Sequence, residues 1–307
     1  MTAGKPDGAP AVAARRARAA EQIRRFFAER SVLEVQTPLI TASGVTDVHI
    51  ESLGLEDGRY LRTSPEYAHK RLLAAGVGDL YELGPVFRAG ESGRHHSVEF
   101  SLLEWYRVDW SWRALASEAV DLVQTVLSDQ TWRVEFVSWQ QAVRRGIGLD
   151  VDPENPDSIR AAADGAPDGL GMSETLDWLF AFHVQPTLPA DTLTVVHDYP
   201  ACQAALARIK VDDPAWAERF ELFAGTLELA NGYRELTDPA EQRRRFEADN
   251  RHRMRLGRPT LPIDEDLLDA LAAGLPDCAG IALGFERLLM AGEPGQPIDA
   301  FTLLGQR

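Results

Sequence analysis

The segment Phe220-Glu221-Leu222-Phe223-Ala224-Gly225-Thr226-Leu227-Glu228-Leu229 puts two carboxylates where they could share a cation. Read as a hairpin turning at Ala224-Gly225, it pairs Phe223 with Thr226, Leu222 with Leu227 and Glu221 with Glu228. Facing Cβ atoms of such a pair lie roughly 4.5–5.5 Å apart, and like charges there destabilise a sheet unless a proton or cation stands between them. Mg2+ takes one or two carboxylates together with substrate phosphates, so a metal held by Glu221 and Glu228 is the favoured reading. The competing one is a helix with residues 228, 231 and 235 on a solvated acidic face. Asn231-Gly232 in its middle speaks against that helix.

Glu104 is the next candidate. In the strand Phe100 to Arg107, alternation sets Phe100, Leu102, Glu104 and Tyr106 on one face and Leu103 and Trp105 on the other. Both faces carry large apolar groups, so the strand is covered on both sides. Glu104 then needs a cationic or hydrogen-bonding partner, either a ligand or an internal salt bridge. Val86-Phe87-Arg88 ends the preceding strand and enters a polar loop from Ala89 to Val98. An arginine fork placed there suits phosphate oxygens. Gly280 to Leu289 reads as an apolar strand turning at Gly284 into a helix with Arg287 in its first turn. That allows close backbone approach and tolerates an anion, although plain strand–helix packing uses the same glycines.

Composition removes other chemistries. The 307 residues carry 32 basic and 47 acidic side chains, a net −15, which opposes general binding of nucleic acid or anionic membrane. Only Lys5, Lys70 and Lys210 are lysines, Gly4-Lys5 runs into Pro6, and no G-x-G-x-x-G occurs. Neither common phosphate loop is present. Cys202 and Cys278 build no disulfide framework or zinc site, and no run of eighteen apolar residues exists. The N-terminus lacks an apolar signal core, so a cytoplasmic setting is expected.

These residues need positioning elements. Residues 1–12 read as a flexible lead, followed from Ala13 by a helix whose Ala19, Ile23, Phe26 and Phe27 share one face. Strands are expected at 48–53, 59–62, 80–88, 99–107, 192–197 and 219–237. Helices are expected at 65–75 (capped by Thr63 or Ser64), 111–128, 239–257 and 264–273, with a strand–turn–helix at 279–291. Residues 145–190, broken by Pro and Gly, read as a peripheral insertion. The arginine-rich stretch 243–258 reads first as a solvated helix face balanced by Glu241, Glu247 and Asp249, and second as a dock for an acidic protein. Strands without regular βαβ alternation give an α+β fold, a mostly antiparallel sheet flanked by helices.

In this order the pieces resemble the three signature motifs of class II aminoacyl-tRNA synthetases of the lysine type. Phe26 to Ile40 resembles motif 1, Tyr81 to Arg107 motif 2 and Gly280 to Met290 motif 3, while Glu228 to Asp238 is similar to the lysine-recognition stretch. Thr63-Ser64-Pro65-Glu66-Tyr67, Leu103 to Arg107, Pro200 to Ala204 and Pro276 to Gly280 are similar to the elongation factor P–(R)-β-lysine ligase family. The resemblance implies one catalytic domain over 13–307, without an anticodon-binding domain, and a homodimer built through motif 1. It implies ATP and Mg2+ as cofactors, with Glu221 and Glu228 on the metal. Arg88 would hold the α-phosphate and substrate carboxylate, Phe100 would stack on adenine, and His96 and Arg287 would meet the triphosphate. Glu104, Tyr106 and Glu235 would bind a side-chain ammonium, with Ser64, Glu66, Asn231, Ala282 and Gly284 completing the amino-acid site. Motif 2 departs from the family pattern. Phe87-Arg88-Ala89-Gly90 is followed by Glu91, one place later than usual, and His95-His96-Ser97-Val98-Glu99-Phe100 replaces Arg-His-Asn-Pro-Glu-Phe. The implied reaction makes a lysyl-type adenylate and passes the acyl group to a lysine of elongation factor P, with tRNA not expected as a partner. The alternatives are a truncated lysine-activating paralogue that loads tRNA or another acceptor, and a non-catalytic binding paralogue.

Overall fold

The computed structural model describes residues 8–303. In chain order its first half contains α1 (Ala9–Ala28), β1 (Leu33–Glu34), β2 (Ile40–Thr41), β3 (Leu53–Gly54), β4 (Tyr60–Leu61), α2 (Glu66–Ala74), β5 (Leu80–Phe87), β6 (Glu99–Val108), α3 (Trp112–Val126), β7 (Arg133–Ser138) and α4 (Trp139–Ile147). Then come α5 (Pro156–Ala162), α6 (Met172–Leu179), β8 (Thr192–Pro200), β9 (Trp216–Ala224), β10 (Leu227–Arg234), α7 (Pro239–Arg255), α8 (Glu265–Gly274), β11 (Cys278–Gly284) and α9 (Phe285–Gly292). Eight strands form one sheet in the order β1-β5-β6-β11-β10-β9-β8-β7. The two outermost pairs, β1/β5 and β7/β8, are parallel and the rest antiparallel. The expected α+β architecture is the observed one.

The alternation along β6 explains the layering. Leu103 and Trp105 point into a core with Ile23 and Phe27 of α1, Leu122 and Val123 of α3 and Leu288 of α9. On the opposite face two smaller cores stand apart. One gathers Leu73, Tyr106, Leu268 and Cys278 beneath α2 and α8; the other gathers Trp139, Phe180, Val196 and Phe223 beneath α4 and α6. The sheet between them carries the candidate site. Register builds its floor in two rows. Glu104 pairs with Ala282, Ala282 with Asn231 and Asn231 with Glu221; beside them Tyr106, Gly280, Tyr233 and Arg219 are paired in the same way.

Five expectations change. The first helix begins at Ala9, with Pro10 in its first turn, where the missing N–H costs nothing, so residues 9–12 are helical rather than a lead. Residues 1–7 of that lead lie outside the described residues. Of the expected 48–53 strand only Leu53 lies in a ladder, because the preceding loop is held instead by Arg253 of α7 and by Arg258 just after it. The hairpin turns at Gly225-Thr226, with Gly225 at φ +57°, so Leu227 pairs with Ala224 and Glu228 with Phe223. A bulge between Glu228 and Ala230 absorbs the extra residue, so Glu221 faces Asn231 and not Glu228. The pair still shares one face, offset along the strands. Finally, the insertion is less peripheral than expected: Trp178 and Asp177 of α6 line the cavity described next.

Candidate active site

A cavity of about 1120 Å3 opens over the two rows. Arg88, His96, Phe100, Glu228 and Arg287 line it, as do Ser64, Glu66, Glu104, Tyr106, Asn231, Glu235, Ala282 and Gly284. Glu221 alone among the expected residues lies off the wall. It is bound to Arg219 and accepts the Tyr199 hydroxyl at 2.7 Å.

At the closed end Glu104 is 2% exposed and accepts hydrogen bonds from Ser64 Oγ at 2.6 Å and the Tyr106 hydroxyl at 2.8 Å. Ser64 Oγ also accepts the Glu66 N–H at 3.0 Å, so the start of α2 and the Glu104 carboxylate are fixed by one hydroxyl. Lys70, one turn after Glu66, is buried with Nζ 2.7 Å from both Glu66 and Glu235. Burial works against its charge, but Glu235 and Glu66 outweigh that and hold the ammonium charged. One lysine among three carboxylates leaves this end short of positive charge. Burial, with Glu66 and Glu104 adding to it, accordingly pushes the Glu235 carboxyl up to about 8. Glu235 Oε1 has no hydrogen-bond partner among the described residues. A buried cluster of this kind is completed by a ligand cation with several donors, such as an ammonium. Behind it, His69 lies 3.1 Å from Glu82 and 3.5 Å from Glu104, and Glu82 in turn pairs with Arg62 at 2.8 Å. Burial disfavours the His69 charge, yet Glu104 and Glu82 raise its pKa.

The open end is cationic. Arg88 leaves β5 with Nε 3.3 Å from the Thr63 carbonyl and its guanidinium 5.1 Å from the Phe100 ring centre. Arg287 donates to the Glu228 carboxylate at 3.3 Å and meets His96 Nε2 at 2.8 Å. Burial and the Arg287 charge hold the His96 imidazole below its ordinary pKa, leaving it a neutral partner. Ammonium-seeking carboxylates at one end and two guanidinium groups at the other are the layout for joining an amino acid to a nucleotide phosphate.

Comparison with known proteins decides between the families that could use such a layout. The family of tRNA synthetases class II (D, K and N) matches residues 7–298. Proteins named elongation factor P–(R)-β-lysine ligase from Salmonella dublin, Salmonella paratyphi B and Salmonella heidelberg are each 45% identical over 309 aligned residues, covering 94% of this chain and 94% of theirs. The chain belongs to the class II tRNA synthetases.

In this class II site the offset of Glu221 from Glu228 alters the argument for a metal but keeps its chemistry. Burial pushes the Glu221 carboxyl up to about 7, with Arg219 opposing the rise and Glu228 adding to it, and each of the two carboxylates has one arginine beside it, Arg219 and Arg287. Among the described residues no group of three or more His, Cys, Asp or Glu could hold a metal by itself. Two hard oxygen donors that need phosphate oxygens to complete them fit Mg2+. The arginines of 243–258 are mostly paired: Arg243 with Glu265, Arg244 and Arg245 with Glu241, and buried Arg253 with Glu51. The solvated-face reading holds for Arg243, Arg244 and Arg251, whereas Arg253 is a buried clamp and Asp249, expected to balance the face, turns inward to Thr46.

Several site residues escaped the sequence reading. Lys70 had a signal, since it is one of three lysines and stands four residues after Glu66 on a helix. Arg219 had one too, two residues from Glu221 on the same strand face. Gly280 had none: a Cβ there would lie 2.3 Å from the Tyr106 ring and 2.4 Å from Glu235 Oε1, so only glycine lets β11 pass behind the ammonium site.

Proposed function

We propose that this class II synthetase activates a lysine-type amino acid, (R)-β-lysine, as its adenylate and transfers the acyl group to a lysine side chain of elongation factor P. The observation that carries this reading is the closed end of the cavity, where three carboxylates share one lysine and lack a second cation. The names of the Salmonella relatives supply the amino acid and the acceptor. Glu104, Tyr106 and Glu235 bind the distal ammonium, and Glu66 and Asn231 meet the second amine. Arg88 holds the substrate carboxylate against the α-phosphorus. His96 and Arg287 take the far phosphates, and Phe100 stacks on adenine. Glu221 and Glu228 would hold Mg2+, which would supply charge neutralisation on the phosphates. Attack of the carboxylate releases pyrophosphate, and positioning with charge neutralisation drives it without a general base. The acceptor amine then attacks the acyl carbon and AMP leaves. A homodimer in the cytoplasm belongs to the same reading. No described helix is long and apolar enough to cross a membrane.

Ala282 supports the choice of isomer. It sits in the floor row between Glu104 and Asn231, and its methyl narrows the place where an α-amine would lie. Ala282→Gly is expected to raise kcat/KM for α-lysine relative to β-lysine by about 10-fold or more, the effect of one methyl in a pocket. The test is the ratio measured by pyrophosphate exchange with both isomers; a ratio that does not move assigns Ala282 to packing alone.

A further inference from the structure

The cavity extends past Asn231 and Tyr233 into a chamber that the activation step does not use. Its walls are the loop 42–52, α6, the turn at 201–203 and α7, which bring Asp47, His49, Asp177, Gln203 and Asp249 together. The carboxylates feel one another. Burial raises the Asp249 carboxyl to about 6, the Thr46 hydroxyl at 2.9 Å opposes this, and Asp47 adds to the rise. Asp47 also acts on Asp177. The cations nearest the chamber are committed elsewhere. Arg245 holds Glu241 and two carbonyls, Arg219 holds Glu221, and His252 is 3.0 Å from Glu174. His49 has no salt-bridge partner among the described residues, and it favours the charged forms of Asp177 and Asp249, as Arg219 does for Asp177 and Arg245 for Asp249.

Two buried amides in the chamber wall leave polar atoms unpaired among the described residues. Gln203 is 5% exposed and donates from Nε2 to Asp177 at 2.6 Å, while its Oε1 has no partner among the described residues. Gln242 is fully buried with neither amide atom paired. It lies seven residues before Asp249 on α7, on the same inward face. The unpaired Gln203 oxygen next to the Asp177 carboxylate calls for a donor-rich cation, and Gln242 offers a further acceptor and a donor.

We propose that this chamber is a second amine subsite, which takes the lysine ammonium of the acceptor protein while the activated amino acid fills the Glu66–Glu104–Glu235 end. The inference rests on the transfer reaction proposed above. The acceptor ammonium gives one proton to a chamber carboxylate. Its freed electron pair forms the C–N bond as the acyl C–O bond to AMP breaks, AMP leaves with that bond's pair, and the second proton passes to water. Holding the amine beside the mixed anhydride makes the transfer effectively intramolecular.

The test uses Asp47→Asn and Asp249→Asn in the full chain. Asparagine keeps an oxygen for the His49 N–H and the Thr46 hydroxyl, so both walls keep their hydrogen bonds. Three rates are compared with the parent: pyrophosphate exchange, discharge of the preformed adenylate by elongation factor P or by Nα-acetyl-lysine, and discharge by hydroxylamine, which is uncharged at neutral pH. Exchange and hydroxylamine discharge are expected to stay within about twofold, and discharge by both lysine acceptors to fall about tenfold or more. Undiminished discharge by the lysine acceptors would overturn the subsite. So would a matching loss of exchange, which assigns the chamber to the activated amino acid. A parent that forms the adenylate and discharges it to Nα-acetyl-lysine but not to elongation factor P contradicts the choice of acceptor and leaves the subsite standing or falling on the small amine.

Discussion

Glu228 sits where two requirements meet: it steadies Arg287 at 3.3 Å and presses on the Glu221 carboxyl. Glu228→Gln keeps an oxygen for Arg287 and removes the charge. Adenylate formation is expected to fall by about 100-fold or more with the fold intact, since the lost group acts on phosphate charge in the transition state. Unchanged pyrophosphate exchange would remove Glu228 from the metal site. Glu235 carries a pH dependence. Its carboxyl is raised to about 8 by burial, so it holds its proton below that value and gains charge above it. Affinity for a cationic substrate is therefore lost as pH falls through 8, with KM rising by roughly tenfold per unit while that group dominates. KM measured from pH 9 to 6.5 should show this slope, and Glu235→Gln should raise KM and flatten it. A slope that survives in the variant belongs to another group. Of the residues, those with a motif or a strand phase were legible: Glu104 is buried as its alternation demands. Gly280 and the Asp47–His49–Asp249 group were not, because their meaning lies in contacts between segments far apart in the chain.

At the level of elements, β6 and its neighbours followed from alternation, and α3 ends within two residues of expectation behind its Ser111 cap. The β9–β10 hairpin did not. Ala224-Gly225 and Gly225-Thr226 both offer glycine to a tight turn, and the pattern of apolar residues cannot distinguish them once a bulge restores the phase. The loop 42–52 departs from the extended strand expected at 48–53 for a different reason. Its shape is imposed by Arg253 of α7, which is fully buried and donates to the Pro259 and Asp47 carbonyls and to Glu51. Arg253→Met leaves those carbonyls without donors. It is expected to cost about 2–4 kcal/mol, read from the urea midpoint at constant m-value. A change under about 0.5 kcal/mol would show that the loop holds itself.

Across the whole molecule, motif 1 ends at a sheet edge. β1 is the outermost strand, and Leu33, Leu39 and Ile40 are 53, 38 and 40% exposed around it. An apolar edge of this kind suits pairing with a second copy. Sedimentation should give about twice 33.9 kDa for the parent and shift toward 33.9 kDa for Leu33→Asp with Ile40→Asp. A parent that sediments as a single chain at micromolar concentration contradicts the dimer. The net charge of −15 also bears on the acceptor, since a field of that sign opposes the polyanionic backbone of tRNA. The acceptor and the amino acid are tested together in one reaction. The direct measurement is the mass of elongation factor P after incubation with the enzyme, ATP, Mg2+ and either (R)-β-lysine or α-lysine. A gain of one lysyl residue on a lysine side chain, faster with the β isomer, is the predicted result. An unmodified factor alongside active pyrophosphate exchange would contradict it.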